Sequence, residues 1–342
     1  MLEKKETNQF QPVLEHVQSS YEQLKASAAA CIVIHKDNIA AEKYWGTIEK
    51  AMAPPAMDYQ FYVASVRKCY IGYAAAYCVV NGFIDRLDDL ATTYIDDLPA
   101  SMLEGVTIRH LLTHTHGLQK TGETMAREFA PGTGWAYRGI NIHLLDKIIK
   151  KTSGLSIQDI VRPVFKSLGF KHTGWQSIAS PNMVKVLSED DYPPFALADN
   201  TDGSQMNMYV SPRELAFWGY LHLKKGRINE SQLVPEPIIK LATSLHTPEG
   251  IPADDPRNGC LWFVKDGDRK RSEIGPRVPD GSYQILGYTG VTLLVIPSLE
   301  LCAVRMFNRL GSTPGYDYLE DVRTFGDSVA VCALAGLSPR ST

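Results

Sequence analysis

Ser65 and Lys68 are the residue types and the spacing that could do chemistry in this chain. They stand in FYVASVRKCYIGYAAAYCVVNG, residues 61 to 82. A short strand-type run, Phe61-Tyr62-Val63, meets Ser65. Lys68 follows three residues later, and an Ala-rich apolar segment then runs to Asn81-Gly82. If a helix starts at Ser65, residues three apart share one face about 5–6 Å apart at Cβ. A hydroxyl at a helix N-terminus gains from the dipole as negative charge develops on it. A lysine beside it can take the hydroxyl proton if its amine is neutral. Burial and neighbouring positive charge both lower a lysine's pKa. Ala74-Ala75-Ala76 lets other helices pack close and bury that amine. The same four residues also read as an N-cap serine followed by a solvated lysine, and the spacing alone does not choose.

The elements that must position this pair follow from periodicity. Leu14, Val17, Tyr21 and Leu24 recur at helical intervals within 10–26. Ala30 to Ile34, the turn Lys36-Asp37-Asn38, and Ile39 to Tyr44 predict a β-hairpin. Val63 to Ser65 is expected to close this N-terminal β region. Helices are predicted over 65–80, 107–114, 139–153, 156–167 and 211–225, the last started by Ser211-Pro212. Strand patterns return at Gly259 to Val264, Tyr283 to Leu286, Thr292 to Ile296 and Leu301 to Phe307. Tyr318 to Leu337 is helical, with Val322, Phe325, Val329 and Cys332 on one face. The order predicts an α/β (α+β) body: an antiparallel sheet flanked by helices from both chain ends, with a mostly helical insertion. The expected division is 1–64 with 255–342 as the sheet domain and 65–254 as the helical domain, with the active site in the cleft between them.

Composition narrows the function classes. The 342 residues are 44% hydrophobic and 21% charged, with a net charge of -3. Lys and Arg are spread through the chain, which leaves no electrostatic footprint for nucleic acid. No apolar run approaches the length of a membrane span. MLEKKETNQFQPVLEH lacks the apolar core of a signal peptide, which predicts a cytoplasmic protein if Met1 is the native start. The alternative is a secreted protein whose signal has been removed. The six cysteines lie in apolar surroundings without a CxxC pair and are expected as buried, reduced thiols.

Further blocks keep company with Ser65 and Lys68. They are GFIDRLDDLATTYIDDLP, VTIRHLLTHTHGL, APGTGWAYRGINIHLLDKIIKKTSG, LGFKHTGW and GYTGVTLLVIPSLELCAVRMFNR. In this order, over roughly residues 30 to 310, they resemble the serine β-lactamase and penicillin-binding-protein superfamily. The similarity is greatest to the branch holding class C β-lactamases, D-Ala-D-Ala carboxypeptidases, D-aminopeptidases and related (family VIII) carboxylesterases. The resemblance implies a β-lactamase-like fold and a double displacement through an acyl-enzyme. Ser65 would be the nucleophile and Lys68 its activator. Tyr137 would share the acid/base work and protonate the leaving group. The backbone N–H groups of Ser65 and Val291 would form the oxyanion hole, with Tyr288, Thr289 and Gly290 lining the substrate site. No cofactor is implied.

Two positions depart from the family's pattern. Its second motif reads Tyr-x-Asn, and here it is Tyr137-Arg138-Gly139. Its third motif begins with Lys or His, and here it begins with Tyr288. The resemblance assigns that basic residue to attracting a substrate carboxylate. The expected activity is therefore an intracellular carboxylesterase or amidase on a small ester, amide or peptide. The alternatives are a D-amino-acid peptidase, a D-Ala-D-Ala carboxypeptidase or weak β-lactamase, or a binding protein that has lost catalysis. Trp262, Tyr192, Phe195 and Tyr283 are candidate apolar or aromatic contacts, although such residues more often simply pack. His110, His114 and His116 lack an acidic partner in a zinc-hydrolase pattern, so no metal is expected. Asn141 matches a different position of the family and is not assigned to the second motif. Arg67, Arg138 and Arg305 read as salt-bridged or solvated cations before substrate contacts.

Overall fold

The strand Ala28–His35 shows how this sequence makes a sheet. It is apolar along its length, so both faces are covered. Ala28, Ala30, Ile32 and Ile34 enter one hydrophobic core, while Ala29, Cys31 and Val33 enter another. That is the two-residue period of a strand. Leu301–Phe307 divides its residues between the same two cores. The computed structural model describes residues 2–46, 57–122 and 124–336, so Met1 and Leu337 of the sequence reading lie outside the described residues.

Seven strands form the main sheet, in the order Glu3–Lys4, Asn38–Gly46, Ala28–His35, Leu301–Phe307, Val291–Ile296, Tyr283–Gly287 and Phe263–Val264. All neighbours are antiparallel except the two-residue edge strand Glu3–Lys4, which runs parallel to its partner and makes the sheet mixed. The predicted hairpin is present. Its turn residues Lys36 and Asp37 both have positive φ, the conformation that matches strand twist in a two-residue turn.

The α-helices among the described residues are α1 (Gln11–Gln23), α2 (Lys68–Val80), α3 (Ile108–Leu112), α4 (Ile140–Ser153), α5 (Ile157–Leu168), α6 (Pro212–Leu223), α7 (Glu236–Thr243) and α8 (Tyr318–Ala335). Helices α1 and α8 pack together on one face of the sheet, and α6 covers the other. Helix α2 is apolar all round and is enclosed by α4, α5 and α7. None of these helices is long and apolar enough to cross a membrane. All six cysteines are buried and unpaired.

Two local expectations are corrected, and one helix is new. Val63 to Ser65 does not close the N-terminal β region: Ala64–Arg67 is a 3-10 turn, and the strand before it, Phe61–Tyr62, pairs with Met208–Val210, which also pairs with Thr173–Trp175. Helix α7 had no signal strong enough to predict it, since Pro235 and Pro237 crowd its start. The predicted strand from Gly259 shrinks to Phe263–Val264. Leu261 sits at φ +66, and its N–H donates to the Leu112 carbonyl instead of a neighbouring strand.

Candidate active site

The chain reaches Ser65 through a strained step. Ala64 has φ +46, a left-handed conformation that costs a residue with a Cβ of order 1 kcal/mol or more. It turns the strand Phe61–Tyr62 directly into a 3-10 turn, Ala64–Arg67, which runs on into α2. The sequence predicts α-helix from Ser65, and the tighter turn matters. In a 3-10 turn, side chains three apart eclipse, so Lys68 is brought straight over Ser65. Lys68 Nζ lies 2.8 Å from Ser65 Oγ. The Ser65 N–H is in the first turn, where backbone donors have no helical acceptor.

Lys68 is 6% exposed. Burial, and then the Arg67 guanidinium, push its amine down to about 7. Near neutral pH a large share of Lys68 is therefore the free base that proton abstraction requires. Arg67 is itself buried, and its Nε and Nη1 have no hydrogen-bond partner. Its position next to Lys68 was visible in the sequence; the burial that leaves those two nitrogens without a hydrogen bond was not.

Tyr137 stands across from the pair. Lys68 Nζ is 4.5 Å from the centre of its ring. The Tyr137 ring stacks on His114 at 4.5 Å and lies nearly parallel to Phe263. Burial pushes its phenol up to about 12, with the Ser65 hydrogen bond pulling the other way. The tyrosine is protonated at neutral pH, so its hydroxyl can donate, while the neighbouring amine of Lys68 can accept a proton. His114 is held by Asn141, whose Nδ2 also donates to the Leu111 carbonyl at 2.8 Å. Burial and then Lys68 hold the His114 pKa well below the usual range, so the ring beside the lysine stays neutral. The histidine block thus acts in packing: His110 completes the cap of α3, and His116 Nδ1 accepts from Leu118 N–H.

The turn at Tyr288-Thr289-Gly290 is tied to the nucleophile strand at two points. Thr289 Oγ1 donates to the Tyr62 carbonyl at 2.8 Å. Gly287 lies so close that an added Cβ would fall 2.3 Å from the Val63 carbonyl oxygen. Gly290, at φ +79, has Phe307 where a Cβ would go. These contacts set Val291, the first residue of the next strand, beside the 3-10 turn.

Two cavities meet at Ser65. One, of about 460 Å3, is lined by Trp135, Tyr137, Phe263, Tyr316 and Tyr318 with Glu273. The other, of about 370 Å3, is lined by Tyr62, Ser188, Glu189, Asp190, Tyr192 and Arg309. Tyr288, 70% exposed, borders both. Of the remaining sequence candidates, Tyr192 reaches the second cavity, while Thr289 is buried in its hydrogen bond. Phe195 packs against a small apolar cluster. Trp262 lines neither cavity: it is fully buried, with its ring against His222 and Tyr283. Tyr283 is buried with it. Gly139 caps α4, and the space where its Cβ would point is open. Arg138 pairs with Glu128 at 2.7 Å and Arg305 with Asp321 at 2.6 Å, both away from Ser65. The carboxylate Glu273 was missed, because nothing in GDRKRSEIGP distinguishes it from the exposed charges around it.

The profile of the Beta-lactamase family matches residues 13–325. The chain belongs to that family. It is 49% identical to an uncharacterised protein of Alkalihalophilus pseudofirmus over 98% of this chain and 99% of that one. It is 30% identical to a beta-lactamase of Escherichia coli over 65% of this chain and 62% of that protein. Among solved structures it resembles EstCE1, a hydrolase with promiscuous acyltransferase activity, at a TM-score of 0.67 and 16% identity. That match covers 94% of this chain and all of EstCE1. The structural match confirms the β-lactamase-like fold expected from the motif order.

Proposed function

We propose that the protein is a serine hydrolase that works through an acyl-enzyme on Ser65 and acts on esters or activated amides. The contact between Lys68 Nζ and Ser65 Oγ at 2.8 Å, with the amine pushed down to about 7, carries this reading. In the first half-reaction Ser65 Oγ attacks the carbonyl carbon as its proton passes to Lys68. The oxyanion is held by the N–H groups of Ser65 and Val291, an interaction worth several kcal/mol in comparable sites. The Tyr137 hydroxyl protonates the leaving group and is restored from Lys68. Water then repeats the sequence on the acyl carbon and frees Ser65. On this reading the cleft lies between the proposed sheet domain, which supplies Phe263, Glu273, Tyr316 and Tyr318, and the proposed helical domain, which supplies Trp135 and Tyr137.

The ester or amide reading is favoured over a peptidase for free carboxyl ends by the charges around Ser65. Tyr288 stands where a cation would attract a carboxylate, and the larger cavity presents Glu273. Arg309 in the other cavity faces Glu189 at 3.9 Å. A parallel assay of short-chain p-nitrophenyl esters, nitrocefin and a D-Ala-D-Ala peptide tests this. Ester turnover is expected to dominate. Faster release of D-Ala or faster nitrocefin opening would reverse the assignment.

A further inference from the structure

Glu273 is the only charged side chain among the described residues lining the 460 Å3 cavity beside Ser65. The mechanism above gives it no task. Its Oε2 is sealed from solvent and has no hydrogen-bond partner. The nearest opposing charge, Arg323, is committed elsewhere: its guanidinium donates to the main-chain carbonyls of Ser272 and Lys270. Burial, opposed only by Arg323, pushes the Glu273 carboxyl up to about 7. A buried carboxylate without a partner is costly unless something completes it.

Aromatic rings make up much of the cavity wall, beside Leu24, Leu286, two serines and three glycines, and several of the rings are held in place. Trp135 Nε1 donates to Asn258 Oδ1 at 2.8 Å. The Tyr316 hydroxyl donates to Asp321, which the Arg305 ion pair holds. Tyr137 stacks on His114 and lies nearly parallel to Phe263, with Lys68 Nζ already 4.5 Å from its ring centre. Aromatic faces attract cations, most strongly where water is excluded. Aromatic rings grouped beside a carboxylate with an unpartnered oxygen have the chemistry of an ammonium site. Its volume is in the range of small-ligand pockets.

We propose that this cavity is a subsite for an ammonium or quaternary ammonium group, carried by the substrate whose ester or amide bond meets Ser65. The link to Ser65 rests on the acyl-enzyme reading; occupation of the cavity does not. The charge on the substrate completes Glu273, and the rings exclude water around it. A substrate with a carboxylate in this position is repelled by the same residue.

Binding and turnover test the two claims separately. Calorimetric titration of the Ser65→Ala protein compares choline with its neutral isostere 3,3-dimethyl-1-butanol. Choline is expected to bind saturably and about tenfold or more tightly than the alcohol, and to lose that advantage in Ser65→Ala/Glu273→Gln. Equal affinity for the two, no choline binding, or an advantage that survives Glu273→Gln overturns the subsite. The kinetic arm uses p-nitrophenyl esters of trimethylammonioacetate and 3,3-dimethylbutanoate, which differ by the charged atom. The ratio of their kcat/KM values is expected to fall by about tenfold in Glu273→Gln. Taking the ratio between enzymes cancels the intrinsic reactivity of each ester. An unchanged ratio contradicts the proposal. If choline binds but Ser65 is never acylated, the subsite stands and the hydrolase reading falls. If Ser65 is acylated and choline does not bind, the reverse holds.

Discussion

At the scale of residues, the proposed division of labour between Lys68 and Tyr137 rests on their opposite shifts. Burial and Arg67 lower the lysine to about 7, while burial raises the tyrosine to about 12. A lysine with a lowered pKa gains free base as pH rises. Hydrolysis should therefore climb through about pH 7 to a plateau, with Arg67, Tyr137 and neutral His114 as the groups that face the amine. Lys68→Ala should lose about 10²–10⁴-fold in kcat with the fold intact by circular dichroism. An unchanged rate in that variant would remove Lys68 from the mechanism. Tyr137→Phe should keep the stacking on His114 and lose about 10²-fold or more in kcat, with a small change in KM. A rate near wild type would show that another group protonates the leaving atom.

At the scale of elements, the nucleophile turn and the Tyr288-Thr289-Gly290 turn act as one unit because Gly287 lets them touch. Gly287→Ala would drive a Cβ to 2.3 Å from the Val63 carbonyl oxygen, so one strand must move. We expect kcat to fall by about 10²-fold, since small displacements of catalytic groups carry that penalty. Wild-type kcat would mean that the contact is not what sets the oxyanion donors. Gly139 is the opposite case: its φ is -80 and the adjoining space is open. Gly139→Asn should fold with an unchanged melting temperature and report, through the ester-to-nitrocefin ratio, what the absent amide does to selectivity. A large loss of stability would show that the space is occupied in solution.

Elements also show where sequence reading reached and where it stopped. Helix α2 was legible because it is continuously apolar, strand 291–296 because β-branched residues dominate it, and strand 301–307 because it is apolar except at Arg305. The pairing of Phe61–Tyr62 with Met208–Val210 was not, because it joins segments nearly 150 residues apart on two or three residues each. Strand 259–264 looked extended, but Leu261 takes a left-handed conformation that composition does not reveal. Ser65, Lys68 and Tyr137 sit in recognisable motifs. Glu273 acquires its character only from the rings that other segments fold around it.

At the scale of the whole molecule, one sheet is made from the two ends of the chain. Ala28–His35 pairs directly with Leu301–Phe307 along its length. Helix α8 then covers the sheet with Val322, Phe325, Val329 and Ala330, and brings Asp321 to Arg305. Removing one partner of such a buried pair costs about 3–5 kcal/mol. Asp321→Asn should lower the melting temperature by many degrees, and deletion of residues 318–336 should abolish the cooperative transition altogether. A cooperative melt in the deleted protein would show that the sheet does not need this helix. The Asp321 carboxyl is held below the usual range, chiefly by Arg305 against its own burial. Its stabilisation is present above the ordinary carboxylate pKa and is lost as pH falls through the lower native value.

The central claim is that Ser65 is the residue that becomes acylated. Intact-protein mass spectrometry after treatment with a fluorophosphonate tests it directly. The account predicts one adduct that maps to Ser65 and is absent from Ser65→Ala. No adduct on the wild-type protein, or an adduct that persists in Ser65→Ala, would contradict it.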